Sequence, residues 1–124
     1  MWGLSFKPET DDMREAPSLI LCEQLLAAGA TVTAYDPVAL EEARHMMGDK
    51  ITFAEEAYSA LEGADALLLV TEWREFRVPD WTRVKSLMRG AAVFDGRNIY
   101  SGEEMAKLGF FYAGIGVADA SPST

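Results

Sequence analysis

Short apolar runs recur along the chain, and each is separated from the next by a stretch of helical character that closes on glycine. The runs are Trp2 to Phe6, Thr31 to Tyr35, a short one near Ile51, Ala66 to Val70, Ala92 to Phe94 and Phe110 to Ala113. Gly29, Gly48, Gly63, Gly90 and Gly109 each stand between a helix-like stretch and such a run, where a residue tolerant of positive φ ends a helix. Ala66-Leu-Leu-Leu-Val70 shows no alternation, which predicts a strand covered on both faces. Helix starts are marked too. Asp36-Pro37 reads as an N-cap followed by proline at the first helical position. Thr52 with Glu55, and Ser101 with Glu104, have capping-box spacing. Asp80 stands before a helix whose apolar face is Trp81, Val84 and Leu87, and Pro17 to Ala28 forms another around Leu21, Cys22, Leu25 and Leu26. Strands alternating with helices predict a Rossmann-like three-layer α/β domain: a mainly parallel five- or six-stranded sheet with helices on both faces. The pattern does not decide the strand order.

Composition narrows the class without changing the fold. The length of 124 residues suits one domain with its own core. We expect that domain over residues 1–119, with 120–124 as a loose tail. Apolar residues at 49% and charged residues at 25% are ordinary for a soluble globular protein. No apolar run has bilayer-spanning length and no basic-then-apolar leader precedes a cleavage site. Met1 runs almost directly into the first strand, so a natural start further upstream is expected. A formal net charge of −9 disfavours nucleic acid and anionic membranes as partners, although one small anion can bind where a few basic residues converge. A single cysteine and a single histidine cannot form an internal disulfide or a zinc site of Cys and His ligands. A reducing, cytoplasmic setting follows as the expectation.

In open α/β sheets, ligands bind outside the carboxyl ends of the strands. Three segments qualify: Phe6 to Glu15 after the first strand, Thr71-Glu-Trp73 after the fourth and Asp95-Gly-Arg-Asn98 after the fifth. They bring Lys7, Arg14 and Arg97 to one edge of an otherwise acidic protein, and arginine and lysine are the usual equipment for phosphate. The plainer reading is that these cations are solvated, or pair with Asp11, Asp12 and Glu72. Trp73 is either packing or a wall of the site. Gly114-Ile-Gly116 lacks the third glycine and the following helix of a dinucleotide turn. Asp36 occupies the place of a ribose-binding acid, but without a glycine fingerprint behind the first strand helix capping suits it better. Cys22 reads as a buried structural thiol and His45 as solvated. No catalytic residue is expected in this chain.

Gly3-Leu-Ser-Phe-Lys-Pro-Glu-Thr-Asp-Asp-Met-Arg-Glu-Ala-Pro-Ser18 closely resembles the segment opening the C-terminal domain of UDP-glucose dehydrogenases. Tyr35-Asp-Pro37, Thr71-Glu-Trp-Arg-Glu-Phe76 and Asp95-Gly-Arg-Asn98 recur in the same order in that family, so the resemblance spans nearly the whole chain. It implies the UDP-binding domain of an enzyme that oxidises UDP-glucose to UDP-glucuronate by two NAD-dependent hydride transfers, through a thiohemiacetal on a cysteine. It implies that Phe6, Lys7 and Arg97 contact the nucleotide sugar, that Arg14 contacts NAD, and that the remainder of a homo-oligomeric parent completes the site. The glycine fingerprint and the catalytic-cysteine segment of that family are absent, Cys22 matches no catalytic position, and the first strand looks shortened. The chain is therefore expected to be inactive alone. Enzymes acting on GDP-mannose or UDP-N-acetylmannosamine share a looser version of the motifs. From other classes, a free-standing nucleotide-binding module stays open, whereas a receiver-type signalling domain would need an aspartate ending the third strand and a lysine after the fifth, where Thr52-Phe53 and Arg97 stand.

Overall fold

Trp2 is the joint of the sheet. Its backbone makes parallel bridges to Tyr35 on one side and Leu69 on the other. The first side belongs to a pair of parallel strands, β1 (Thr33–Ala34) and β2 (Thr52–Phe53). The second belongs to a parallel set of three, β3 (Ala66–Leu69), β4 (Ala92–Asp95) and β5 (Phe111–Gly114). The computed structural model of the protein describes residues 1–14 and 16–122. Counting the Trp2 segment as the first strand, the spatial order is 3-2-1-4-5-6, the order of a doubly wound Rossmann sheet.

Successive residues of a strand face opposite sides of a sheet, and β3 shows that both sides are used. Leu67 and Leu69 join a core with Trp2, Val84, Val93, Met105, Phe110 and Tyr112, under α3 (Trp81–Leu87) and α4 (Gly102–Lys107). Leu68 and Val70 join a second core with Leu4, Cys22, Ala34, Ala43 and Met47, under α1 (Pro17–Ala27) and α2 (Leu40–Met47). Trp2 stacks on Phe76 with ring centroids 4.9 Å apart. Coverage is uneven: on the Leu68 side Phe94 remains 41% exposed, so the expectation of full cover holds for Leu67 and Leu69 but not for Ala66 and Leu68.

Local signals and tertiary pairing disagree in three places. The first run is one bridging residue long, not a strand from Trp2 to Phe6, because Gly3 at φ 94° turns the chain out of the ladder. Asp36-Pro37 does not start a helix: Pro37 to Ala39 form a turn, and α2 begins at Leu40 behind Ala39. Thr52 caps nothing, because its N–H is committed to Val32 O at 2.9 Å within the sheet, and the helix expected after it is a 3-10 turn at Ser59–Leu61. The other two caps form as expected, with Asp80 accepting from Arg83 N and Ser101 from Glu104 N. Ala120, expected at the start of the tail, pairs antiparallel with Tyr112, while Ser123 and Thr124 lie outside the described residues.

Candidate functional site

The strand order reverses between the Trp2 segment and β3, and a doubly wound sheet opens its crevice at that point. Ser5 to Lys7, Thr71 to Trp73 and Asp95 to Arg97 rim it. The Leu4–Lys7 backbone is held almost group by group. Leu4 N and Ser5 N donate to Asp36 Oδ2 at 2.8 and 3.2 Å. Ser18 Oγ donates to Leu4 O at 2.5 Å and Thr71 Oγ1 to Ser5 O at 2.6 Å. Phe6 N donates to Asp12 O at 2.9 Å, and Ser5 Oγ to Lys7 O at 2.9 Å. A loop this fully bonded has its shape before a ligand arrives, which lowers the ordering cost of binding.

Arg97 crosses the crevice floor. Its Nε donates to Val70 O and its Nη2 to Phe6 O, both at 2.8 Å, so one guanidinium ties the β3 end to the loop after Trp2. Glu72 Oε2 lies 3.1 Å from the same Nε, yet it is buried without a hydrogen bond among the described residues. The contact is ionic rather than a directed bond, since Nε points at Val70 O. Asp95, itself buried, accepts from Arg97 N at 3.0 Å, Tyr100 N at 2.9 Å and Tyr112 Oη at 2.9 Å. Burial, and then that bond to Asp95, push the Tyr112 phenol up to about 12.

The sequence placed Phe6, Lys7, Arg14 and Arg97 on one edge, and the structure brings them together unevenly. Phe6 and Arg97 touch. Lys7 is exposed beside them. Arg14 points outward, with 88% of its side chain exposed, and pairs with Asp12 at 2.9 Å. The plainer reading thus also has substance, since Arg14 and Arg97 each have an acidic neighbour. The hydrogen bonds from Arg14, with Lys7 adding a smaller attraction, hold the Asp12 carboxyl down at about 2. Trp73 resolves toward packing: it is 6% exposed, and its Nε1 donates to Asp36 Oδ2 at 3.1 Å.

Sequence reasoning placed Thr71 on the ligand edge but missed that its hydroxyl, with those of Ser5 and Ser18, holds the loop. The available signal was small hydroxyl residues flanking apolar runs, a pattern that most turns share. Gly114-Ile-Gly116 lies on an exposed turn with Asn98 bonded to both backbone groups of Ile115, and no helix follows it among the described residues. Cys22 is buried and its thiol is raised by that burial, while His45 is exposed. A trough of about 430 Å³ lies at the opposite, amino-terminal edge between Thr31–Thr33 and Ala64–Ala66. Its one basic side chain, Arg89, is matched to Asp65 at 2.7 Å, so it lacks the convergent cation of the crevice.

Strand order and crevice define a Rossmann-like α/β domain with an arginine at its switch point. Residues 1–102 match the model of the UDP-glucose/GDP-mannose dehydrogenase family, UDP binding domain, and the chain belongs to that family. It is 51% identical over 121 residues to a UDP-glucose 6-dehydrogenase of Pseudomonas aeruginosa strain PAO1, an alignment covering 94% of this chain and 27% of that protein. Among solved structures, a UDP-glucose dehydrogenase from the hyperthermophilic archaeon Pyrobaculum islandicum matches at TM-score 0.71 and 35% identity, over 83% of this chain and 22% of that one. The NDP-N-acetyl-D-galactosaminuronic acid dehydrogenase of Methanosarcina mazei Go1 matches at TM-score 0.80 and 26% identity, over 94% and 24% respectively. The chain therefore spans about a quarter of the length of these relatives.

Proposed function

We propose that this chain is the nucleotide-sugar-binding domain of an NAD-dependent UDP-glucose 6-dehydrogenase, with the uridine diphosphate portion of the substrate seated in the switch-point crevice. The observation that carries this reading is Arg97, bonded to Val70 O and Phe6 O. Two of its three nitrogens are spent on the protein, and Nη1 has no hydrogen-bond partner among the described residues. Lys7 adds an exposed charge and Phe6, 45% exposed, an apolar wall. UDP-glucose is preferred over GDP-mannose and UDP-N-acetylmannosamine because several curated relatives are UDP-glucose 6-dehydrogenases.

The residues present do not build a cradle for NAD. A dinucleotide fold keeps several glycines directly after the first strand; here a single glycine, Gly3, is followed by Leu4-Ser5-Phe6-Lys7, while Asp36 at the ribose-acid position is buried. This chain offers NAD only the exposed guanidinium of Arg14. Oxidation of UDP-glucose to UDP-glucuronate, by two hydride transfers to NAD, belongs to the complete parent, a soluble homo-oligomer in this reading. The chain alone, incubated with UDP-glucose and NAD, gives no sustained formation of NADH.

Titration of the chain with UDP by NMR at fixed salt tests the reading. The amides of Phe6, Lys7 and Arg97 shift progressively. A charge-assisted hydrogen bond is worth about 1.5–3 kcal/mol, so Arg97→Ala weakens binding about tenfold or more. Arg97→Ala also costs stability, because it frees two carbonyls and leaves the buried Glu72 Oε2 without its cation, and a melting curve establishes that the variant is folded. Arg83→Ala, on α3, is the control with unchanged affinity. Equal shifts in wild type and Arg97→Ala, or shifts confined to Gly114–Gly116, place the ligand elsewhere.

A further inference from the structure

We infer that Asp36 is the positioning residue of the crevice, a buried anion that sets the Leu4–Lys7 loop and the Trp73 loop against each other; the inference deepens the proposed function and rests on its placement of the ligand. Asp36 is 1% exposed. Its Oδ1 accepts from Val38 N at 2.9 Å and Ala39 N at 2.8 Å. Its Oδ2 accepts from Leu4 N at 2.8 Å, Ser5 N at 3.2 Å and Trp73 Nε1 at 3.1 Å, with Ser5 Oγ at 3.4 Å. Three segments that are distant in sequence converge on one carboxylate, all through neutral donors.

Capping does not account for this arrangement. The cap residue of α2 is Ala39, which makes no side-chain cap, and Oδ1 alone satisfies the turn before it. The second oxygen works across the sheet. By fixing the N–H groups of Leu4 and Ser5 it turns their carbonyls toward Ser18 and Thr71, and the next two residues of the loop are those that face the ligand. By holding the Trp73 indole it fixes the segment that carries Glu72, the acidic neighbour of Arg97. A carboxylate is suited to the task because it only accepts. Asparagine has the same shape but one acceptor oxygen, so it can serve the Val38–Ala39 side or the Leu4–Ser5–Trp73 side, and its amide N–H groups then confront donors on the other.

The test compares wild type, Asp36→Asn, Trp73→Phe and Val84→Ala as the full chain, by NMR with and without UDP. Without ligand, Asp36→Asn displaces the amide resonances of Phe6 and Lys7 and the Trp73 indole N–H. With ligand it weakens UDP binding about tenfold, and Trp73→Phe, which removes a single donor, about threefold. Val84→Ala, a core truncation beneath α3, lowers the melting temperature and leaves the affinity of the folded protein unchanged. If Asp36→Asn does not fold, Trp73→Phe carries the test. Wild-type affinity in the folded variants, or an equal loss in Val84→Ala, overturns the inference. Should wild type itself fail to bind UDP, the proposed function falls, and unmoved ligand-free Phe6 and Lys7 amides would then overturn the role of Asp36 separately.

Discussion

Asp12 is paired with Arg14, which binds both of its oxygens, Nε to Oδ1 at 3.0 Å and Nη2 to Oδ2 at 2.9 Å. Those bonds favour the ionised carboxyl, so the pair is present at neutral pH and is lost as pH falls through about 2. A carbon-detected NMR titration of the Asp12 carboxyl has its midpoint near 2, and Arg14→Ala returns it toward 3.8. A wild-type midpoint already at the ordinary value means Arg14 is not held. Cys22 makes the opposite case, a group kept neutral by burial. Thiol-reactive probes label it on the order of a hundredfold more slowly in the native chain than in the unfolded one, because reaction waits on opening. Rapid native labelling at neutral pH would show that α1 leaves that face open. At this scale the strand-end rule picked out Lys7, Arg14 and Arg97 and the family resemblance added Phe6; the structure brings Phe6 and Arg97 into contact and turns Arg14 outward. The role of Asp36 was not legible, because one acid before a proline reads the same whether it caps a turn or gathers three loops, and only the fold brings Leu4, Ser5 and Trp73 to it.

Among the elements, the segment around Trp2 depends on a close approach. A Cβ on Gly3 would lie 2.5 Å from both Thr71 N and Thr71 Cβ, and φ there is 94°. Gly3→Ala therefore combines backbone strain with overpacking against Thr71, just past the end of β3, and about 2–5 kcal/mol of stability is lost. Urea denaturation reads that loss directly, and an unchanged midpoint would mean the segment does not lie against Thr71. The interior strands were legible from their apolar runs, and α3 and α4 from the caps at Asp80 and Ser101. The starts read at Asp36 and Thr52 failed for a physical reason. An acid or hydroxyl three residues ahead of a donor fits an Asx turn or a strand as well as a helix, and at Thr52 pairing with Val32 decides. The length of the first strand was illegible likewise, since an apolar run does not show which of its residues a glycine will turn out of the sheet.

For the molecule as a whole, strand order was beyond the sequence, because alternation of strands and helices is the same for every doubly wound sheet. It follows from one residue bridging β1 and β3, and with it comes the position of the crevice. The net charge of −9 and the proposed anion site are compatible because Lys7 and Arg97 would act at short range, while the acidic surface is screened within about 10 Å at 0.1 M salt. The bridge has a kinetic consequence. Two ladders whose strand bridges meet at Trp2 are joined more thinly there than within either ladder, so solvent enters first along that line. In hydrogen exchange, the amides of Trp2, Gly3, Tyr35 and Val70, whose bonds cross the joint, trade their protons as one group, faster than Val93 in the middle strand of the three-stranded set. A ligand lying over the joint slows that group and leaves the inner strands as they were, so the protein would report occupancy of its crevice through the lifetime of its seam.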